Sequence, residues 1–352
     1  MRPVDPLDPR WDAYVRAHDA ATVYHLGAWA AVLRRAYGFR PRYLALEGQG
    51  GDLRGVLPLM RKKGLVSDAR LRSIPVFSYG GPLGDTPADE QSLLEAARKL
   101  AEQDGVRGLS VNTGERQIDV HGYEVQEILP RWVVAIPDDL EALRARWRKS
   151  SNNLYRSLKK ADAADLGFRE GTSGRDLRSL HGLYVRTMRR HRSLPRTMRQ
   201  LRLTRDLLGS HMKVFIVDHG ERDVAAGVYH VYGDTIELVY NGSDEDALKL
   251  RPNHHLYWRV MEWAAEHGLR HVNLGGAYAD TPLARFKQQW GARPRARFRL
   301  EHRAGKETTR AESIASIGYG AEASERRLVD FAWRHVPVTV LRAGAHVAYR
   351  YV

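Results

Sequence analysis

The sequence predicts an α/β protein in which one unit of hairpin, strand, helix and strand is used twice. Three observations carry that expectation. The stretch LAEQDGVRGLSVNTG at 100–114 lines up with AAEHGLRHVNLGG at 264–276. Gly55-Val56 and Gly227-Val228 stand at equivalent places in the second strand of each expected hairpin. The elements also follow one another in the same order. A period this long means a duplicated domain rather than a solenoid of short repeats. With 352 residues, 43% of them hydrophobic and 8 of them Trp, the chain can bury a core for both units.

In the first half, residues 25–37 (HLGAWAAVLRRAY) are amphipathic at helical spacing and stop at Gly38. Residues 42–46 and 53–60 are β-rich runs on either side of GQGG, a hairpin pattern. A strand over 73–79 is expected to end at Gly80-Gly81-Pro82, followed by a helix over 90–103 and a short strand over 108–112. Residues 138–161 read as a long basic helix or helix pair with acids first and bases last, as the helix dipole prefers. Residues 176–208 read as one or two helices interrupted around Ser193-Leu194-Pro195.

The second half replays the order with a hairpin at 213–218 and 224–232, turning at HGER, and a strand at 235–240. Residues 251–291 carry the densest pattern. Leu256, Val260, Trp263 and Ala264 recur at helical spacing until Gly268; 271–274 is a short alternating strand that runs into Gly275-Gly276. Phe286-Lys287 then falls on a second, short helix. A strand over 296–300 is expected to close the second sheet, and 303–325 reads as a polar loop or linker. The apolar tail at 331–352 is interrupted by Arg334, Arg342 and Arg350. It suits a membrane-interfacial segment or a helix packed on the body, and packing is preferred because Pro337 and Gly344 weaken a long surface helix. The expected units are 1–137, 138–302 with its basic connecting helix, and 303–352.

The formal net charge of +14 favours a polyanionic partner: nucleic acid, an anionic membrane surface or a phosphorylated substrate. The alternative is an arginine-rich, merely solvated surface. The absence of cysteine excludes disulfides, thiolate metal sites and a cysteine nucleophile. The opening MRPVDPLDPRWDAY has no apolar signal core and no run of 18 apolar residues occurs, so a cytoplasmic protein is expected. The fifteen histidines make no metal signature: Gly268 breaks the helix between His267 and His271, and His254-His255 are adjacent. No metal and no tightly bound cofactor are expected.

The ordered set HLGAWAAVLRRAYG, GVLPLMRK, SYGGPLGD, RKSSNNLYRSLKKA, RPNHHLYWRVMEWAAEHG, NLGG and LARFKQQWG resembles the Fem family of FemAB/FemX-like aminoacyltransferases, over roughly residues 10–300. The tail WRHVPVTVLRAGAHVAYR is similar to FemAB-related proteins of exopolysaccharide and exosortase systems. The resemblance implies two tandem GNAT-like domains, each a mixed sheet flanked by helices. It also implies transfer of an amino acid from aminoacyl-tRNA to an amine of a peptidoglycan or other cell-envelope precursor. The implied partners are aminoacyl-tRNA and a nucleotide- or lipid-linked precursor, with a monomeric enzyme and a possible peripheral membrane contact through the tail. Two departures stand out. The long coiled-coil arm of some members is absent. Where members carry an acid after the first-domain strand, this chain has Val111-Asn112-Thr113-Gly114, so no general base transfers to that place.

Aminolysis of an activated ester needs a positioned amine, a proton acceptor and a stabilised oxyanion. Strand, glycine turn and a lysine on the next helix make a reaction centre or a plain structural turn. Lys287, the lysine of the family's Phe-Lys motif, is the candidate for neutralising charge at the donor. Tyr240, Asn241 and Asn253 bracket the loop before the main helix and are candidates for binding substrate; Asn253 is alternatively a helix N-cap. Gly275, Gly276, Tyr278 and Phe286 would line the same crevice. Arg148, Lys149, Arg156, Lys159 and Lys160, with Arg189 and Arg190 in the later cluster around Arg186 and Arg192, suit phosphates of tRNA or of a nucleotide-linked precursor, or form solvated helix faces. The rival reading is an acyl-CoA-dependent N-acyltransferase acting on an amino sugar. The loops ALKLRPNHH and GDTPADEQ are poor cradles for its pyrophosphate. A non-catalytic polyanion-binding module is the third reading.

Overall fold

Prolines and glycines set the element boundaries of the first half. A short strand β1 (Arg2–Pro3) precedes α1 (Pro9–Ala17), which is capped by the Asp8 side chain. Helix α2 (Ala28–Tyr37) ends where Gly38 takes a left-handed φ of 77° that a residue with a Cβ rarely adopts. The expected hairpin is β2 (Arg40–Pro41) and β3 (Leu44–Glu47) against β4 (Leu53–Leu57) and β5 (Leu59–Lys62). Pro58 has no N–H to give the ladder and splits the second arm into two strands. β6 (Arg70–Ser73) stops earlier than the sequence pattern suggests. Ile74 sits at φ 37° and Pro75 follows, so no described residue of 74–79 continues the strand. After β7 (Leu83–Gly84) comes α3 (Pro87–Gln103), opened by a Thr86–Asp89 capping box, then β8 (Gly108–Gly114) and the long β9 (Glu124–Ala135).

The connecting segment is a helix pair, α4 (Leu140–Lys149) and α5 (Asn153–Asp162). β10 (Leu166–Glu170) opens the second half and leads to α6 (Gly174–Arg190) and α7 (Met198–Leu208), broken at the expected place. There follow β11 (Met212–His219), β12 (Arg222–Tyr232), β13 (Thr235–Ser243), α8 (Pro252–Glu266), β14 (His271–Gly276), α9 (Pro282–Gln289) and β15 (Arg293–Arg303). The tail forms α10 (Val338–Tyr351). This computed structural model describes residues 2–62, 69–75, 77, 79–149, 153–303 and 337–351; the expected linker lies, from 304 on, outside them.

Two sheets result. β1, β3, β4 and β7 form a small one; the other eleven strands run in the order β10-β11-β12-β13-β14-β9-β15-β8-β6-β5-β2. The duplication is visible in the pairing. β6 lies parallel to β8 across helix α3, and β13 lies parallel to β14 across helix α8.

The join between the halves is an exchange. β9, which follows the first half, pairs antiparallel with β14 of the second, and β15, which follows the second half, returns to pair with β8 of the first. β9 and β15 also pair with each other from Arg293↔Val133 to Glu301↔Glu124. Among the described residues the last strand therefore pairs only with strands that precede residue 138, where the sequence pattern had it close the second sheet. Alternation identifies a strand but not its partner.

Separate clusters of buried side chains lie around α2, under α3, between α8 and the sheet, and beneath α6. The tail packs on the body: Leu341 and Ala345 are buried, and the Tyr349 hydroxyl donates to the Leu194 carbonyl at 2.9 Å. No helix of the described residues is long and apolar enough to cross a membrane.

Candidate active site

The two parallel strands of the second half pair over only three positions. Thr235 faces His271, Ile236 faces Val272 and Glu237 faces Asn273. Beyond that both strands continue without pairing each other, and Gly275 turns away at φ 79°. Its N–H takes the Asn273 side-chain oxygen at 3.0 Å. A Cβ on Gly275 would point to the Leu238 carbonyl at 3.6 Å and to the Lys287 ammonium at 3.9 Å. The gap between β13 and β14 is thus open at Gly275 and reached by a lysine.

Lys287 comes from α9, whose start is fixed by the Thr281 side chain on Ala284 N–H. It is only 2% exposed, and its Nζ donates to the Gly276 carbonyl at 2.8 Å. Burial, with nearby Arg297 adding to it, pulls the ammonium down to about 7. Phe286 turns to the other side of α9, where it meets His254 and Tyr257 edge-on at 5.3 and 5.5 Å. Gly276 faces Leu129 of β9, which a Cβ would strike at 2.5 Å. Tyr278 is 65% exposed at the rim.

At the end of the paired stretch stands an acid that the sequence reading passed over. Burial pushes the Glu237 carboxyl up to about 7, against the opposing pull of Arg131, a hydrogen bond from Tyr24 and Arg297. The Tyr24 oxygen is in turn 3.2 Å from Nδ1 of His230, the cross-strand partner of Glu237. Burial holds His230 neutral, down to about 3. With the tyrosine proton on Glu237, His230 must donate to the Tyr24 oxygen.

The first half closes the other side. Arg131 donates to the Tyr79 hydroxyl at 2.8 Å and to Glu115 at 3.0 Å, and Asn273 reaches the same hydroxyl at 3.4 Å. Arg297 lies over the Tyr79 ring, 5.6 Å from its centroid, with Nε on the Leu129 carbonyl at 2.7 Å. Tyr24 and Tyr79 stack at 5.3 Å. One centre therefore draws on α9, β13, β14, β9, β15 and two tyrosines of the first half.

Of the residues the sequence singled out, Lys287, Gly275 and Gly276 come together here. Tyr240 stacks on Tyr184 of α6 at 4.5 Å, and Asn241 pairs across the sheet with Gly227. Asn253 is not the helix cap: Arg251 occupies that position at φ 62° with Pro252 after it. Asn253 instead donates to Ser243 Oγ at 3.2 Å. Arg190 donates to the Ser243 carbonyl at 3.2 Å, tying α6 to the end of β13. Arg148, Lys149, Arg156, Lys159 and Lys160 are exposed on α4 and α5. Glu237 did leave a trace in the sequence, as the single acid inside the run TIELVY, since acids are depleted in strands.

Residues 148–299 match the sequence model of an acetyltransferase (GNAT) domain. FemX shares 15% identity over 86% of this chain and 98% of its own, with a TM-score of 0.66. The fold is a tandem GNAT fold. A tandem GNAT protein from the clavulanic acid biosynthesis pathway superposes at 0.52, with 14% identity, 87% of this chain and 99% of its own. The C-terminal domain of a putative lysylphosphatidylglycerol synthetase from Agrobacterium fabrum gives 0.57, with 14% identity, 84% of this chain and 91% of its own. No curated protein sequence matches. At the centre of this tandem GNAT fold lie a carboxyl that burial pushes up to about 7, a buried lysine and an opened strand pair.

Proposed function

We propose that the protein transfers an aminoacyl group from aminoacyl-tRNA to an amine of a cell-envelope precursor, forming an amide. The observation that carries the transfer chemistry is that the Glu237 carboxyl on β13 and the buried Lys287 ammonium at Gly276 of β14 both lie within the field of Arg297. The acceptor amine is an ammonium in water and must lose a proton before it attacks. Glu237, poised near 7, is matched to take that proton at neutral pH. The nitrogen then adds to the ester carbonyl, and the negative charge that develops on the carbonyl oxygen is met by the Lys287 ammonium. Collapse of the tetrahedral adduct breaks the C–O bond and forms the amide; the second proton shed by the nitrogen ends on the departing ribose oxygen as its hydroxyl, and Glu237 returns the first to solvent. No covalent enzyme intermediate is needed, because the ester is already activated.

The donor and acceptor are supported by likeness. The sequence resembles the Fem family, and the solved structures of similar fold include FemX and a putative lysylphosphatidylglycerol synthetase domain. A second reading, an acyl-CoA donor, is favoured by the match to an acetyltransferase domain. The test is to incubate the protein with a pool of radiolabelled aminoacyl-tRNAs and either a nucleotide-linked muropeptide or lipid vesicles containing phosphatidylglycerol. RNase-resistant label in either acceptor, lost in Glu237→Gln, is the expected result and identifies the acceptor. Esters left untouched, with turnover from acetyl-CoA, would overturn the aminoacyl reading.

A further inference from the structure

Helix α10 is apolar on two opposite sides. Its inner side packs on α6 and α2, with Leu341 and Ala345 buried and Arg196 over the Tyr349 ring at 4.4 Å. At about 100° per residue, Val340, Ala343 and Val347 fall together on the other side. Val340 and Val347 are 56% and 53% exposed, and Ala343 is exposed as well. A Cβ added to Gly344 beside them would meet nothing within 4 Å. A surface helix of a globular protein ordinarily has one apolar stripe, turned to the core. Here that stripe is already seated, and the second one faces out.

The surroundings of this outer stripe are basic. Arg342 and His346 are exposed one turn apart along its flank. Arg202 of α7 lies close by, because burial and then Arg342 and Arg202 together hold the buried His181 of α6 below its ordinary pKa. Arg199 and Arg178 are exposed one turn along from Arg202 and His181. The acids of α2, α6, α7 and α10 are Asp176, buried and paired with Arg169, and Asp206, paired with Arg205. Among the described residues none of Arg178, Arg199, Arg202 and Arg342 is ion-paired.

We propose that the outer face of α10, with the arginines beside it, seats the protein on an anionic lipid bilayer. The helix lies along the surface, its valines against the acyl chains and its arginines at the phosphates. The combination of groups selects this partner. Nucleic acid would pair with the arginines and leave the valines in water. A second copy would cover the valines, but a two-fold interface sets the same patch against itself. Arg342 and Arg202 would then face their own kind with no acid between them, and like charges repel. A bilayer offers acyl chains and anionic phosphates at adjacent depths, which is what an apolar stripe with basic flanks binds. Packing on the body and contact with lipid are compatible, because they use opposite sides of one helix. The inference goes beyond the proposed reaction and does not depend on its donor.

The test is co-sedimentation with vesicles of phosphatidylcholine alone and of phosphatidylcholine mixed with phosphatidylglycerol. Wild type should sediment with the mixed vesicles only, and less so as salt is raised. Val340→Ser/Val347→Ser should weaken binding roughly tenfold. Arg202→Gln/Arg342→Gln should weaken it roughly fivefold for each charge removed. Val347→Trp should tighten it several-fold, a gain that misfolding does not produce. Leu248→Ser and Lys159→Gln remove an exposed apolar side chain and an exposed cation from other elements. Each should change binding by less than about twofold. Equal binding to both kinds of vesicle would overturn the proposal. Binding that needs the arginines but not the valines would overturn it in favour of a soluble polyanion such as RNA. A wild-type dimer in analytical ultracentrifugation that the serine pair dissociates would give the face to a second copy instead.

Discussion

Glu237 and Asn273 are the last paired position between β13 and β14, and the two strands part immediately beyond them. The position is structurally costly, because a carboxyl and a buried amide side chain stand where a core would otherwise close. Asn273 spends its oxygen on Gly275 N–H and its nitrogen on Tyr79. Glu237 is held by a hydrogen bond from Tyr24 and by the field of Arg131 and Arg297.

Glu237→Gln should lower kcat by roughly 10²–10⁴-fold, the usual contribution of a positioned general base, with KM little changed. Unaltered kcat in a steady-state assay would remove Glu237 from the reaction. Its folded pKa, about 7, lies above the ordinary 4.5. The charged form therefore costs stability, a cost that is absent below about 4.5 and complete above about 7. The glutamine variant should melt at or above the wild-type temperature at pH 8.

Lys287→Met should abolish most activity and still stabilise the fold at neutral pH. The folded pKa, about 7, lies below the unfolded 10.5, so burying the ammonium costs stability up to about pH 7. That cost fades as pH rises toward 10.5. Thermal melts at pH 6.5 and pH 10.5 test the sign, with the gain expected only in the first.

The kcat/KM profile should be a narrow bell centred near pH 7, rising as Glu237 loses its proton and falling as Lys287 loses its own. Glu237→Gln should remove the acid limb and keep the alkaline one. A profile flat from pH 6 to 9 would assign neither limb to these groups.

Tyr24→Phe tests whether the first half shapes the chemistry. The tyrosine hydrogen bond lowers the Glu237 pKa, so its loss should move the acid limb to higher pH while Lys287 keeps the alkaline limb in place. A rate loss without that displacement would leave Tyr24 a packing residue.

Gly242→Ala addresses the fold alone. A Cβ there would lie 2.3 Å from the Tyr184 backbone N and 2.4 Å from the Leu183 carbonyl carbon, both in α6. The helix must shift off β13, and such overpacking costs about 1–3 kcal/mol. Chemical denaturation should show that loss.

The sequence by itself determined the duplicated unit and most helix ends, because periodicity, prolines and glycines act over a few neighbouring residues. Gly38 stops α2, and the break between α6 and α7 falls at Ser193-Leu194-Pro195, for reasons visible within one turn of chain, whereas α3 begins at Pro87 behind the Thr86 cap, three residues before the expected start. The same local logic brought Lys287 to notice beside Gly275 and Gly276. Tertiary structure decided the rest. The exchange of β9 and β15 sets residues far apart in the chain side by side, and alternation along one strand carries no record of its partner. Only that exchange sets Arg131 and Arg297 over Tyr79. Glu237 is an ordinary acid in the sequence; burial between two halves, with Tyr24 on one side and two arginines near it, makes it a group that titrates near neutrality.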